Sequence, residues 1–154
     1  MRQPFQILVI PFRRVHCGFE FAALRRSDGD YWQGIAGGGE DGESPEDAAK
    51  READEEAGIP VTAPFFRLQT TSSIPVHNFG DRSFWPTDLL VIPEFSFAVD
   101  CTDLELTISS EHVEAYWGGY RDVYARLKWD SNRTALWELQ ERLISASLPG
   151  EHSD

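Results

Sequence analysis

The residues between positions 37 and 59 have the types and spacing to do chemistry. Gly37 is followed after five residues by Glu43, and after seven more by Arg51-Glu52-Ala53-Asp54-Glu55-Glu56-Ala57-Gly58-Ile59. In a helix, at about 100° per residue, Glu52, Glu55 and Glu56 fall within roughly a 100° arc. Three carboxylates on one arc repel one another. A divalent cation removes the conflict, because magnesium takes oxygen ligands and usually keeps waters and substrate phosphates in its shell. Arg51 stands where it could pair with Glu43 and hold it in place. Taken alone, the acidic cluster reads as a solvated helix face and the glycines as a loop.

Local signals support a helix under these carboxylates. Ser44 offers an N-cap, Pro45 suits the first helical position, and Glu46 and Asp47 match the dipole in the first turn. Gly58 and Pro60 close the segment, so a helix is expected from Pro45 to Ala57. Ala49, Ala53 and Ala57 form a small apolar stripe that would let it lie close to a sheet or loop.

Elsewhere, Ile7 to Phe12 and Phe19 to Leu24 read as strands joined by a turn at His16 to Gly18. Ser27 to Asp30 is a turn, and Trp32 to Gly39 leads into the glycine-rich stretch. Phe65 to Thr71 and Leu89 to Val99 read as strands, with Pro93 marking the second as an edge or bulged strand. Ser72 to Asp88 is expected to be a long loop. Val113 to Trp117 is a strand, Arg121 to Leu127 a short helix and Asn132 to Ile144 a longer one. One α+β domain over 1–148 is expected, with a polar, disordered tail at 149–154.

Composition sets the remaining bounds. The chain has 154 residues, 41% hydrophobic and 26% charged, enough for one domain with a proper core. No apolar run reaches the roughly 20 residues of a membrane span. Cys17 and Cys101 stand far apart, which suits a reducing cytoplasm and not a zinc or disulfide framework. With 26 acidic against 14 basic residues the net charge is −12, which repels nucleic-acid polymers and anionic membranes. Such a protein can still act on phosphates if divalent cations bridge the like charges.

The 37–59 segment resembles the Nudix box, with all seven fixed positions present at the family spacing. Ala53 is the one soft position, where the family more often has a larger aliphatic residue. Average residue usage puts a chance match at about one in ten million, which removes coincidence as a competitor. The resemblance implies a Nudix fold, an α/β/α sandwich around a mixed β-sheet, with the box as a loop–helix–loop. It implies a hydrolase in which Glu52, Glu55 and Glu56 hold Mg2+, with Mn2+ as substitute, and the Gly37 or Gly38 carbonyl completes the site. Glu56 would be the main ligand, Glu52 a ligand or the group that orients the attacking water, and Arg51 and Glu43 the brace.

Further segments are similar to the branch containing dihydroneopterin triphosphate and dATP pyrophosphohydrolases. They are Arg25 to Gln33, Ser110-Glu111-His112 with Trp117 following, and Ser131-Asn132-Arg133 after Trp129. That tryptophan stands one place further upstream than the branch leads one to expect. The implied substrate is a small phosphorylated molecule, a (deoxy)nucleoside or dihydroneopterin triphosphate cleaved to monophosphate and pyrophosphate. Oxidised dGTP, dinucleoside polyphosphates and ADP-ribose are the competing substrates, and a non-catalytic ligand sensor is the competing class. Family members occur as monomers and homodimers. Arg25 or Arg26 could clamp a phosphate. Glu111 could act as an extra ligand or general base if it reaches the water. Trp32 is the aromatic residue expected to stack on a ring, ahead of Phe84 and Trp85. Gly38 and Asn132 complete the expected substrate contacts, and His112 is expected to be structural.

Overall fold

The computed structural model describes residues 2–80 and 82–150. Seven strands form one mixed sheet: β1 (Gln6–Val15), β2 (Gly18–Arg26), β3 (Trp32–Gln33), β4 (Ile35–Gly38), β5 (Phe65–Pro75), β6 (Val91–Asp100) and β7 (His112–Gly118). Three helices cover it: α1 (Pro45–Ala57), α2 (Tyr120–Arg126) and α3 (Asp130–Ser145). The order along the main path is β3-β2-β1-β6-β5, with β4 beside β1 and β7 beside β2. Among the described residues β1 and β6 pair in parallel, and the other strand pairs are antiparallel.

The register explains how the sheet opens. β1 and β2 pair only where Phe12–Val15 faces Gly18–Phe21, and beyond that point they part. β4 then lines β1 from Gln6 to Val9, while β3 lines β2 at Leu24 and Arg25. Alternation sends Ile7, Val9, Phe97 and Val99 to one face, where they meet Ala49, Ala53 and Ala57 of α1. Leu8, Ile10, Phe12 and Ala98 go to the other face, against Leu136, Leu139 and Leu143 of α3. This is the α/β/α layering of the expected α+β Nudix fold. The alanine stripe is completely buried, so α1 lies close on β1 and β4.

Several boundaries differ from the sequence reading. Ser72 to Pro75 is not loop but the end of β5, paired with Val91 to Glu94. Every second residue there is exposed, Ser73 among them, while Ser72 is half-buried. β6 is not an edge strand, since it lies between β1 and β5. Pro93 is tolerated because pairing with β1 begins only at Glu94, so its missing N–H costs no bond on that side. The irregularity lies instead in β5, between Arg67 and Thr71. There the Glu138 carboxylate of α3 accepts the Gln69 and Thr70 N–H groups, both at 2.7 Å, together with the Thr70 hydroxyl. Helix α3 starts at Asp130, two residues earlier than expected. At the C-terminus Pro149 and Gly150 form a turn, and residues 151–154 of the expected tail lie outside the described residues. Among the described residues, no helix is long and apolar enough to cross a membrane.

Candidate active site

Helix α1 presents its carboxylates as its caps dictate. The Ser44 side chain accepts the Asp47 N–H at 3.1 Å, Pro45 opens the helix, and Gly58 closes it in the left-handed region at φ 67°. On the buried side of the arc Glu56 is 5% exposed. Gly37 in β4 faces the same helix, and a Cβ there would fall inside van der Waals contact of the Glu52 carboxylate, which would have to move from its place.

Arg51 ties loop to helix. Its Nε and Nη2 donate to Glu43 at 2.8 and 3.0 Å, and Nη2 also donates to the Gly38 carbonyl at 2.8 Å. Its Nη1 reaches Glu52 at 3.0 Å and Glu55 at 3.3 Å. The Arg51 guanidinium and the Glu40 N–H hold Glu43 below the usual carboxylate range, against the opposing effect of burial. The expected Arg51–Glu43 pairing is therefore present as a bidentate contact.

Glu111 is brought to the same place by the loop before β7. That loop straps the end of α1: the Thr107 N–H donates to the Ala57 carbonyl at 2.8 Å and the Ser109 N–H to the Glu56 carbonyl at 3.0 Å. The Ser27 N–H and hydroxyl both hold the Glu111 carbonyl at 3.0 Å. Its carboxyl thereby comes close enough to Glu56 to act on its charge. Burial, the Glu52 charge and Glu111 push the Glu56 carboxyl up to about 9, with Arg26 opposing. Glu52 is raised mainly by burial, with Glu55 and Glu111 adding and Arg51 opposing. One oxygen of Glu56 is buried and has no hydrogen-bond partner among the described residues.

These features fit a divalent cation. The donors are all carboxylate oxygens, they destabilise one another's charge, and a buried one lacks a partner. Among the described residues, no three acidic, histidine or cysteine side chains already close around one point.

A cavity of about 560 Å³ lies on the far side of Arg26 from this cluster. Its walls come from β2, β3, β5, β6 and the start of α3, and it is bordered by Arg26, Tyr31, Gln33, Phe79, Glu94 and Trp129 among others. Arg26 links the two regions: it borders the cavity, donates to Asp28 at 2.8 and 3.1 Å, and stands 3.8 Å from Glu111. The end of β5 and the following 3-10 turn form one wall, which gives the start of the expected 72–88 loop a definite place.

The remaining singled-out residues scatter. Arg25 points away from the cavity and pairs with Asp30 at 2.6 Å and Glu114 at 2.9 Å. Trp32 does not border the cavity; its ring packs edge-on against Tyr116 under the Arg126 guanidinium. Tyr31 and Trp129 border it instead, edge-to-face at 5.7 Å. Asn132 borders it too, yet is 3% exposed and spends its carbonyl oxygen on the Gly34 N–H at 2.8 Å. Phe84 is exposed, and Trp85 is buried and bonded to the Arg2 carbonyl. His112 is buried, and burial together with Arg26 lowers its pKa, which favours the neutral ring. Sequence reasoning passed over Glu94, although a lone acid in the apolar run Val91 to Val99 was a signal. Tyr31 and Gln33 lie in the Arg25 to Gln33 segment that carries the resemblance, from which Arg25, Arg26 and Trp32 were the expected contacts.

Comparison with known proteins agrees with this geometry. The NUDIX domain model matches residues 9–137. The structure of a protein assigned as a NUDIX hydrolase from Listeria monocytogenes is 43% identical, covering 95% of this chain and 98% of that one, with TM-score 0.86. The E. coli dihydroneopterin triphosphate pyrophosphohydrolase is 25% identical over 94% of this chain and 97% of its own, with TM-score 0.73. A C. elegans Ap4A hydrolase shares the fold at 17% identity and TM-score 0.72, over 93% and 99% of the two chains. No curated protein matches. A complete box on a capped helix, the layered sheet around it and a family match over most of the chain lead to one conclusion: this protein belongs to the Nudix hydrolases.

Proposed function

We propose that this Nudix hydrolase is a magnesium-dependent pyrophosphohydrolase that cleaves a nucleoside or dihydroneopterin triphosphate to monophosphate and pyrophosphate. The observation that carries the reading is the placing of Glu52 and Glu111 on either side of Glu56, whose buried carboxylate oxygen has no hydrogen-bond partner among the described residues. Glu52, Glu55 and Glu56 would hold the cation, with the Gly37 carbonyl and Glu111 nearby. When bound, magnesium supplies neutralisation of phosphate charge and acidification of the attacking water.

The chain's own groups do the rest. Arg51 and Glu43 lock the helix carboxylates in orientation, and Glu52 or Glu111 receives the proton of the attacking water. Arg26 holds a phosphate between the carboxylates and the cavity. The cavity takes the ring, with Tyr31 and Trp129 supplying flat apolar surface. Likeness to the E. coli pyrophosphohydrolase over nearly the whole length of both chains supports the triphosphate reading. The catalytic unit comprises residues 1–148, and the cysteine usage favours a cytoplasmic setting, with the protein a monomer or homodimer.

A phosphate-release screen tests this. Nucleoside triphosphates, dihydroneopterin triphosphate, dinucleoside polyphosphates and ADP-ribose are offered with magnesium, with added pyrophosphatase or phosphatase to tell the products apart. Magnesium-dependent pyrophosphate release that is lost in Glu56→Gln supports the reading. Silence across the panel from a folded protein that binds magnesium refutes it and favours a ligand sensor.

A further inference from the structure

Among the polar groups bordering the cavity that the hydrolytic chemistry does not use is a buried carboxylate. Glu94 in β6 faces the α3 side with Ser96 and Ala98, is 4% exposed, and borders the cavity. One of its oxygens has no hydrogen-bond partner among the described residues. Of the amides that also border the cavity, Asn132 accepts the Gly34 N–H at 2.8 Å and donates to the Ser131 hydroxyl at 3.3 Å, and the Gln33 carbonyl oxygen accepts the Trp129 indole N–H at 3.2 Å. Burial raises the Glu94 carboxyl, and the Ser131 hydroxyl beside it pulls the other way. A buried acceptor left unmatched is costly unless a ligand matches it.

We propose that Glu94 selects the heterocycle, its carboxylate receiving two adjacent N–H groups of a 2-amino-4-oxo-pyrimidine edge, the edge that guanine and pterins share. This deepens the triphosphate reading above and rests on it. An ionised carboxylate has acceptors only, so it complements a ring N–H beside an exocyclic amine. Adenine offers a donor beside an acceptor and matches a carboxylate poorly. Tyr31, Phe79 and Trp129 provide the surfaces that a flat ring needs. Arg26, on the cavity border and 3.8 Å from Glu111, marks the path of the phosphates from ring to carboxylates.

The experiment compares kcat/KM for GTP, dihydroneopterin triphosphate, inosine triphosphate and ATP, beside calorimetric titration of non-hydrolysable GTP, ITP and ATP analogues. Inosine keeps the ring N–H but lacks the amine, so the wild type should favour GTP or the pterin over it by roughly ten- to hundredfold. The better of GTP and the pterin identifies the source. Glu94→Gln turns one acceptor into a donor and should erase that preference while moving selectivity toward ATP. Melting temperature checks its fold, and if the variant does not fold the inosine comparison in the wild type decides. Equal use of GTP, inosine triphosphate and ATP, or unchanged selectivity in the variant, overturns the proposal. Guanine-selective binding without turnover upholds Glu94 and refutes the hydrolase reading; magnesium-dependent turnover without ring preference does the reverse.

Discussion

The Arg51 guanidinium grips both oxygens of Glu43, with Nε and Nη2 donating at 2.8 and 3.0 Å, while its third nitrogen reaches Glu52. One side chain thus joins the glycine loop to the helix and orients a carboxylate at the candidate metal site. Lysine keeps the charge but cannot reproduce the fork. Arg51→Lys should lower kcat or magnesium affinity roughly 10- to 100-fold, as removal of ligand-orienting contacts does elsewhere. Kinetics at varied magnesium would show it; unchanged kinetics would mean the clamp is only structural.

Glu56 makes metal-free stability pH-dependent. Its carboxyl titrates near 9 in the folded chain against about 4.5 unfolded, so the folded state prefers the protonated form. Its contribution is full below about 4.5 and is lost progressively as pH rises toward 9. In EDTA the melting temperature should fall across that window, and Glu56→Gln should flatten the fall. Added magnesium should restore stability most at the alkaline end, because it binds the ionised form. A wild-type profile matching that of Glu56→Gln would contradict this.

Glu138 is a structural carboxylate far along the chain from the box. It satisfies the Gln69 and Thr70 N–H groups in the β5 irregularity and pairs with Arg142 at 2.7 Å. Burial pushes its carboxyl up, but these donors prevail and hold it below the usual range. Its stabilisation is therefore present above the unfolded pKa and lost as pH falls through the folded one. Glu138→Ala should cost about 3 kcal/mol in urea unfolding at neutral pH. A loss well under 1 kcal/mol would show that the strand bends without it.

The two thiols should differ sharply. Cys17 is exposed in the β1–β2 turn, whereas burial and the nearby Asp100 push the Cys101 thiol up to about 12. A chromogenic disulfide reagent should titrate one thiol in the native protein and two in denaturant. Two fast thiols under native conditions would mean that the end of β6 opens.

Local signals were enough to define the helix that carries the candidate metal site and the carboxylates on it. Ser44, Pro45, the acidic first turn and Gly58 are local signals read within one helix, and Pro45 to Ala57 is the helix observed. The glutamate arc and the Arg51–Glu43 pair follow from spacing on that helix and its preceding loop. Tertiary structure alone decided what stands against them. Glu111 reaches Glu56 only because the 107–109 loop caps the end of α1, a contact across more than fifty residues that no local pattern encodes. The cavity likewise draws its walls from β2, β5, β6 and the start of α3. Trp32 and Arg25 turn away from it because strand alternation and register, not residue type, set which face a side chain takes.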